Sequence, residues 1–161
     1  MKKQMVFVIA ILIIISCGET GTSYEQVTAI KTVSQRVKDI NKTITEIKNS
    51  EDKVALVLEE SLYLEYEYPV RENESYVTKY HFDNSGCFKI KIDTYFNKQD
   101  DAEKITEAIV KDLQVNSSFG KPQRGFNLYL WKNSGNNISI ELNIQHIERG
   151  MISLTIFKII S

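Results

Sequence analysis

The hydrophobic pattern of the chain changes its period near residue 50, and this change constrains the fold more than any other feature. Over residues 24–49, apolar residues recur at steps of three and four, which places them on one stripe of a helix. After residue 50, apolar residues alternate with other residues, which is the period of a half-buried strand. The sequence therefore predicts an amphipathic helix followed by a sheet. The stripe consists of Val27, Ile30, Val33, Val37, Ile40, Ile44 and Ile47.

A second helix interrupts the strand pattern and divides the chain into two similar halves. It begins near Asn97 with acidic residues in its first turns, and its apolar stripe ends at Leu113. The predicted order is α-β-β-β-α-β-β-β. Short connections favour a mostly antiparallel sheet, and two helices can cover only one of its faces, so the predicted class is α+β. Strands are predicted over 54–68 (with a bulge or break at 59–61), 76–82, 88–96, 126–132, 138–144 and 151–160.

Side chains alternate across a strand, so each predicted strand presents two different faces. The even-numbered positions carry the apolar set, and the odd-numbered positions carry charged and polar residues with four large aromatics. Exposed Tyr and Trp favour a binding surface because they add contact area at little entropic cost. A solvated sheet face also has this composition, since both residues have high strand propensity. The candidate binding residues are Tyr63, Tyr95, Tyr129 and Trp131.

The first seventeen residues have the pattern of an export signal. Lys2 and Lys3 precede an apolar run over 5–15, which is too short to span a bilayer at ~20 residues per crossing. The run ends in Ile14-Ile15-Ser16-Cys17, in place of the A-x-A-like site of an ordinary secretory signal. This tetrapeptide resembles the lipobox of bacterial lipoproteins. An uncleaved signal anchor, or a plain secretory signal with a coincidental cysteine, is the alternative.

The resemblance implies where the protein is anchored. A lipid would be attached to the sulfur of Cys17 and the signal peptide 1–16 removed, which leaves residues 17–23 as lipidated cysteine and polar tether. Gly18 stands where the family's inner-membrane retention signal usually has Asp, which favours the outer membrane in a Gram-negative cell. Residues 24–161 are then predicted to form a single α+β domain.

No catalytic motif is found in the sequence. The glycine-flanked serine, zinc-binding helix and phosphate-binding loop patterns are absent. His81 and Cys87 flank the turn at 83–86 and could form a nucleophile–base pair across it, although no third residue orients the histidine. The formal net charge is −1 and no basic patch stands out, so nucleic acid is not an expected partner. We expect a non-enzymatic protein without metal or cofactor.

Three functions are consistent with these features. The first is a lipid-anchored envelope protein that binds another macromolecule through the polar sheet face. The second is a small-ligand carrier with a cavity between helices and sheet, near the tyrosine cluster of Tyr66, Tyr68, Tyr76 and Tyr80. The third is a structural envelope protein that self-associates through the Val/Ile stripe of helix 24–49. The oligomeric state is left open.

Overall fold

A computed structural model describes residues 23–28, 31–116, 118–133 and 135–159. Within these ranges the chain forms an α+β fold, as predicted, with four α-helices and eight strands. The helices are α1 (Tyr24–Thr28), α2 (Val33–Val37), α3 (Ile44–Ser50) and α4 (Gln99–Asn116). The strands are β1 (Leu56–Glu60), β2 (Tyr63–Arg71), β3 (Glu74–Asp83), β4 (Gly86–Tyr95), β5 (Gln123–Arg124), β6 (Leu128–Asn133), β7 (Ile138–Asn143) and β8 (Met151–Lys158). The bulge or break predicted at 59–61 corresponds to a turn at Ser61 and Leu62 between β1 and β2, and Glu59 and Glu60 belong to β1.

All eight strands belong to one antiparallel sheet in the order β1-β2-β3-β4-β8-β7-β6-β5. Each half of the chain supplies helix and then four strands, and the last strands of the two halves, β4 and β8, pair at the centre. The helices pack on one face of this sheet. The core between them is continuous and includes Val33 and Ile47 from the helices and Leu64, Ile90 and Ile140 from the strands.

The prediction of one continuous helix over 24–49 is wrong. Thr32 and Thr43 each begin a new helix, and each forms a capping box with the residue three positions on, Gln35 or Glu46. Asn41, between these helices, has a left-handed backbone with φ of 72°, which a helix interior does not accommodate. The threonines therefore act as helix starts, where their hydroxyl groups accept backbone N–H bonds, and not as helix interior.

The apolar stripe of this segment nevertheless faces the core. Val27, Val33 and Ile47, which belong to α1, α2 and α3, are all at most 7% exposed, and so is Ile40 in the turn after α2. Ile30 lies outside the described residues. The stripe therefore packs against the core of the domain. Self-association through these residues stays a prediction, and within the domain they already contact the core.

The alternation of strand faces holds for most of the sheet and reverses in β6. In β2, β3, β7 and β8 the even-numbered residues face the helices; Leu64, Tyr80 and Ile156 are fully buried. In β6 the odd-numbered Trp131 pairs with the even-numbered Ile140, so the two lie on the same face. The prediction that Tyr129 and Trp131 point away from the helices is wrong.

The reversal has a simple geometric cause. A two-residue hairpin pairs an odd residue with an even one, as in Arg71–Glu74 and Asp83–Gly86. In both of those hairpins a register shift next to the turn restores even-to-even pairing. The β6–β7 hairpin pairs Asn133 with Ile138 and continues without a shift. The odd-numbered residues of β6 therefore lie on the same face as the even-numbered residues of β7.

Candidate binding face

The face of the sheet turned away from the helices is not covered by any element in the described part of the chain. We call this surface the open face. Cross-strand rows of side chains run over it, since residues paired in register project to the same side. One row runs from Glu141 through Thr155 to Lys91 and Lys79, and the next from Asn143 through Ser153 to Asp93.

The structure separates the four aromatic residues selected from the sequence. Tyr63 and Tyr95 lie on the open face, but Tyr63 pairs with His81 and Tyr95 pairs with Ser75, at opposite ends of β3. Six residues of strand separate these positions, which is ~20 Å at ~3.3 Å per residue. Tyr129 and Trp131 lie on the helix side instead. The four residues therefore do not form one surface.

Trp131 and Tyr129 belong to the helix-side packing. Trp131 is 1% exposed, and its ring stacks with that of Tyr129 at 6.2 Å between centroids. Tyr129 is partly buried against the core, and the guanidinium of Arg124 lies 5.3 Å from its ring centroid. Their aromatic character is explained by packing, since they seal the end of the core where β6 approaches the sheet edge.

A depression of about 370 Å³ occupies the open face beside Tyr95. Its floor comes from β4, β7 and β8, and the loop residues Gln145 and His146 form part of its rim. Apolar side chains, including Leu128 and Met151, line it together with charged and polar ones. The volume is within the ~300–1,000 Å³ range of small-molecule sites, and the depression is open to solvent on one side. The charged lining residues are Lys91, Asp93 and Glu141, and the imidazole of His146 lies beside them.

Asp93 is the fixed charged group in this depression. Its carboxylate accepts bonds from Ser153 Oγ at 2.7 Å and Lys79 Nζ at 3.1 Å, and Lys91 Nζ lies 3.0 Å away. Burial acts to raise the pKa of Asp93, but the hydrogen bonds from Ser153, Lys91 and Lys79 lower it overall. Asp93 is thus held as a carboxylate, and it holds both lysines in place.

Glu141 places a negative charge on the far side of the depression from Lys91. It pairs with Thr155, which pairs with Lys91, so two strand spacings (~10 Å) separate the backbones of Glu141 and Lys91. Tyr95 is 37% exposed at the same end of the sheet. The depression therefore offers one anionic side, one cationic side and an aromatic ring, an arrangement suited to binding a partner that carries both charges.

The other end of the open face is organised around Tyr63. Its hydroxyl donates to the carboxylate of Glu65, and its ring meets the His81 ring edge-on at 5.1 Å between centroids. Burial lowers the pKa of His81, and the nearby charges of Lys89, Lys79 and Lys91 lower it further. His81 is therefore neutral at pH 7, and this end carries no histidine charge.

The geometry does not support the nucleophile–base pair considered from the sequence. Cys87 is 1% exposed on the helix side of the sheet, whereas His81 lies on the open face. Burial raises the pKa of the Cys87 thiol to about 12, so it is protonated at neutral pH. Among the described residues, no group of three or more His, Cys, Asp and Glu side chains is arranged to hold a metal ion.

A buried polar network beneath the short helices is the largest feature that the sequence did not reveal. Arg36 Nη1 lies 2.7 Å from Glu51 Oε1 and 2.5 Å from the Tyr80 hydroxyl, and Arg36 Nε lies 3.2 Å from the Tyr76 hydroxyl. Tyr68 donates to the second oxygen of Glu51. The tyrosine cluster proposed as a ligand cavity therefore has three of its four hydroxyl groups bonded to the protein's own charged groups.

Two signals in the sequence were available for this network. Arg36 lies three residues after Val33 and four before Ile40, so helical spacing places it beside the apolar stripe. The inward positions of β2 and β3 also carry several tyrosines, whose buried hydroxyl groups need hydrogen-bond partners. A charged residue on the facing helix supplies them.

Comparisons of the chain with protein-family models, with curated proteins and with solved structures give no match. In the described part of the chain, no helix has both the length and the apolar character needed to cross a membrane. The fold and the site define an α+β domain whose antiparallel sheet is covered by helices on one face only.

Proposed function

We propose that the protein is a lipid-anchored, non-enzymatic binding protein of the bacterial cell envelope, which recognises another macromolecule through its open face. One observation carries this proposal: the helices cover a single face of the sheet, and the opposite face contains a depression with ordered charged groups and an exposed tyrosine. Asp93, bonded to Ser153 and to both lysines, gives the charged groups of this face fixed positions.

The anchor is supported by the lipobox-like residues 14–17, which lie outside the described residues. We expect labelled palmitate to be incorporated into the protein in its host and to be lost in a Cys17→Ser variant. Retention of label in that variant would refute attachment at Cys17. If the cell is Gram-negative, Gly18 favours the outer membrane, and fractionation of the membranes tests this placement.

The partner is expected to present both signs of charge at the depression. Lys91 and Glu141 lie on its two sides, and Tyr95 with Met151 and Leu128 offers apolar contact. Interfaces combine such aromatic anchors with charged groups that select the partner and its orientation.

Photo-cross-linking in living cells tests the proposal. A photoreactive amino acid at position 95 is placed on the open face, and the matched control at the exposed Lys38 is placed on the helix side. We expect a discrete cross-linked product from position 95 and none from position 38. A product from position 38 alone would move recognition to the helices and overturn the proposal.

A small-ligand carrier is the second candidate, since the depression itself has the volume of a small-molecule site. In this case the ligand would bind on the open face and not among the tyrosines of the core. Native mass spectrometry of protein from its own host is expected to show an added mass that disappears in a Glu141→Gln/Lys91→Gln variant. A mass equal to that of the lipidated chain alone counts against a carrier.

A further inference from the structure

We infer that the tip of the β5–β6 hairpin, with Phe126 at its apex, contacts the surface of the membrane to which the protein is anchored. This inference rests on the lipid attachment proposed at Cys17. It adds an orientation to that anchor, since the hairpin would be a second contact at a defined place on the domain.

Phe126 is presented to solvent by an ordered turn. Its side chain is 97% exposed, more than any other large apolar side chain in the described ranges. The turn is closed by a bond from Gly125 N to Leu128 O at 2.8 Å, and Asn127 O accepts from Ile144 N at 2.9 Å. A large aromatic ring held outward in this way gains nothing from the fold itself. Segments that bind a membrane interface combine residues such as Phe, Trp and Leu with Lys and Arg.

The charges around this turn favour an anionic lipid surface. No acidic residue occurs between Asp112 and Glu141, a stretch that contains Lys121, Arg124 and Lys132. The chain as a whole has formal net charge −1, so this stretch is an exception to its composition. Basic residues beside an inserted aromatic ring are attracted by anionic phospholipid headgroups, and the attraction falls off within a Debye length.

The other edge of the sheet provides an internal comparison. Val54, just before β1, is 92% exposed, almost as much as Phe126. Its surroundings carry mixed charges, however, with Asp52 bonded to the Val54 backbone, Lys53 beside it, and Glu59, paired with Lys48, and Glu60 on the adjoining strand. This edge therefore lacks the uniformly basic character of the stretch around Phe126. Charge therefore distinguishes two similarly exposed apolar positions at opposite ends of the sheet.

The start of the domain lies on the same side as the hairpin. Only five residues lie between Cys17 and Ser23, so the six Cα–Cα steps reach ~20 Å when fully extended. Ser23 lines a surface depression with Lys111 and Val115 near the end of α4, and Val115 is 71% exposed. Lys111 also lines a neighbouring depression with Arg124 and Tyr129, at the base of the hairpin. One continuous surface thus connects the tether to the hairpin.

Depth-dependent quenching tests the inference on the full lipidated chain. A Phe126→Cys variant and the matched Val54→Cys control are labelled with an environment-sensitive fluorophore, while the native Cys87 is buried. Both proteins are placed in vesicles of phosphatidylcholine and phosphatidylglycerol that contain spin-labelled lipid. We expect quenching at position 126 to exceed that at position 54 several-fold, and to fall in vesicles of phosphatidylcholine alone.

Equal quenching at the two positions, or stronger quenching at 54, would overturn the inference and leave the anchor intact. Quenching at 126 that persists in a Lys121→Glu/Arg124→Glu variant would overturn the role of charge. A chain that carries no lipid when isolated from its host refutes the anchor and this inference together. The two proposals therefore fail in different ways.

Discussion

Arg36 and Glu51 form an ion pair with no solvent exposure, in which Arg36 Nη1 lies 2.7 Å from Glu51 Oε1 and both side chains are 0% exposed. Arg36 belongs to α2, and Glu51 is the residue that ends α3. The Tyr80 hydroxyl lies 2.6 Å from Glu51 Oε1, so the pair also joins both helices to β3. These helices are only five and seven residues long, and the network holds them on the sheet.

A Glu51→Gln substitution is expected to lower the free energy of unfolding by ~3–5 kcal/mol, because it leaves the Arg36 charge buried without its counter-ion. Urea denaturation of the purified domain measures this loss. Glu59→Gln is the matched control, since Glu59 pairs with Lys48 at 2.7 Å on the surface and its loss should cost less than ~1 kcal/mol. Equal costs for the two substitutions would contradict the role given to the buried pair.

The same pair makes stability depend on acid pH. Burial acts to raise the pKa of Glu51, but the charge of Arg36 and the hydrogen bonds from Tyr68 and Tyr80 lower it from 4.5 to about 2. The folded state thus binds the Glu51 proton less tightly than the unfolded state. Its contribution, ~3 kcal/mol, is present above pH 4.5 and is lost as the pH falls toward 2.

Urea unfolding at a series of pH values measures this dependence. The difference in the free energy of unfolding between wild type and Glu51→Gln should narrow as the pH falls from 4.5 toward 2. A difference that stayed constant over this interval would show that protonation of Glu51 is not coupled to folding.

The helix-side position of Trp131 can be tested by replacing it. Trp131→Ala should cost ~3–5 kcal/mol in the free energy of unfolding, because it empties a buried site. The neighbouring Lys132→Ala, on the other face of β6, should change it by less than ~0.5 kcal/mol. Trp131 fluorescence should also resist quenching by iodide in the folded protein. Ready quenching would place the ring on the open face.

Alanine substitutions at two glycines with similar positive φ distinguish the cost of backbone strain from the cost of a steric clash. Gly120 and Gly150 have φ of 68° and 72°, a region that costs an L-residue about 1–2 kcal/mol. A Cβ at Gly120 meets no atom within 4 Å, whereas at Gly150 it would lie 2.1 Å from the carbonyl oxygen of Phe96. We expect Gly120→Ala to show the backbone cost alone and Gly150→Ala a larger loss of thermal stability. Similar melting temperatures would contradict the close approach to Phe96.

The fold class could be predicted because it depends on the period of the hydrophobic pattern, and this period is visible in residues such as Val33, Ile40, Leu64 and Tyr66. The orientation of β6 could not be predicted in this way. Whether its odd-numbered or even-numbered residues face the helices depends on whether a bulge accompanies each hairpin. The shifts next to Pro69 and Phe82 leave no clear mark in the sequence. Tyr129 and Trp131 were therefore assigned to the wrong surface.

The ends of the short helices and the charged depression on the open face were also not predicted from the sequence. Thr32 and Thr43 each precede Gln35 or Glu46 by three residues, which is the sequence spacing of a capping box, but the continuous apolar stripe favours one long helix over these two helix starts. The depression on the open face brings together Lys91, Glu141 and Asp93 from three strands. Its position depends on the order of those strands in the sheet, which short-range patterns do not specify. Of the four aromatic residues that the sequence predicts as a binding surface, Tyr95 alone lines this depression.

The central position of β8 has a consequence for when the domain can form. Because β8 joins β4 to β7, the two halves of the sheet are connected only through the last strand of the chain. Contacts such as Ile92 with Leu154 close a long loop, and folds dominated by such contacts form slowly. During synthesis the sheet stays incomplete until residue 158 has left the ribosome. If the chain is exported as we propose, this delay would leave it unfolded, and able to pass through an export channel, for as long as it is being made.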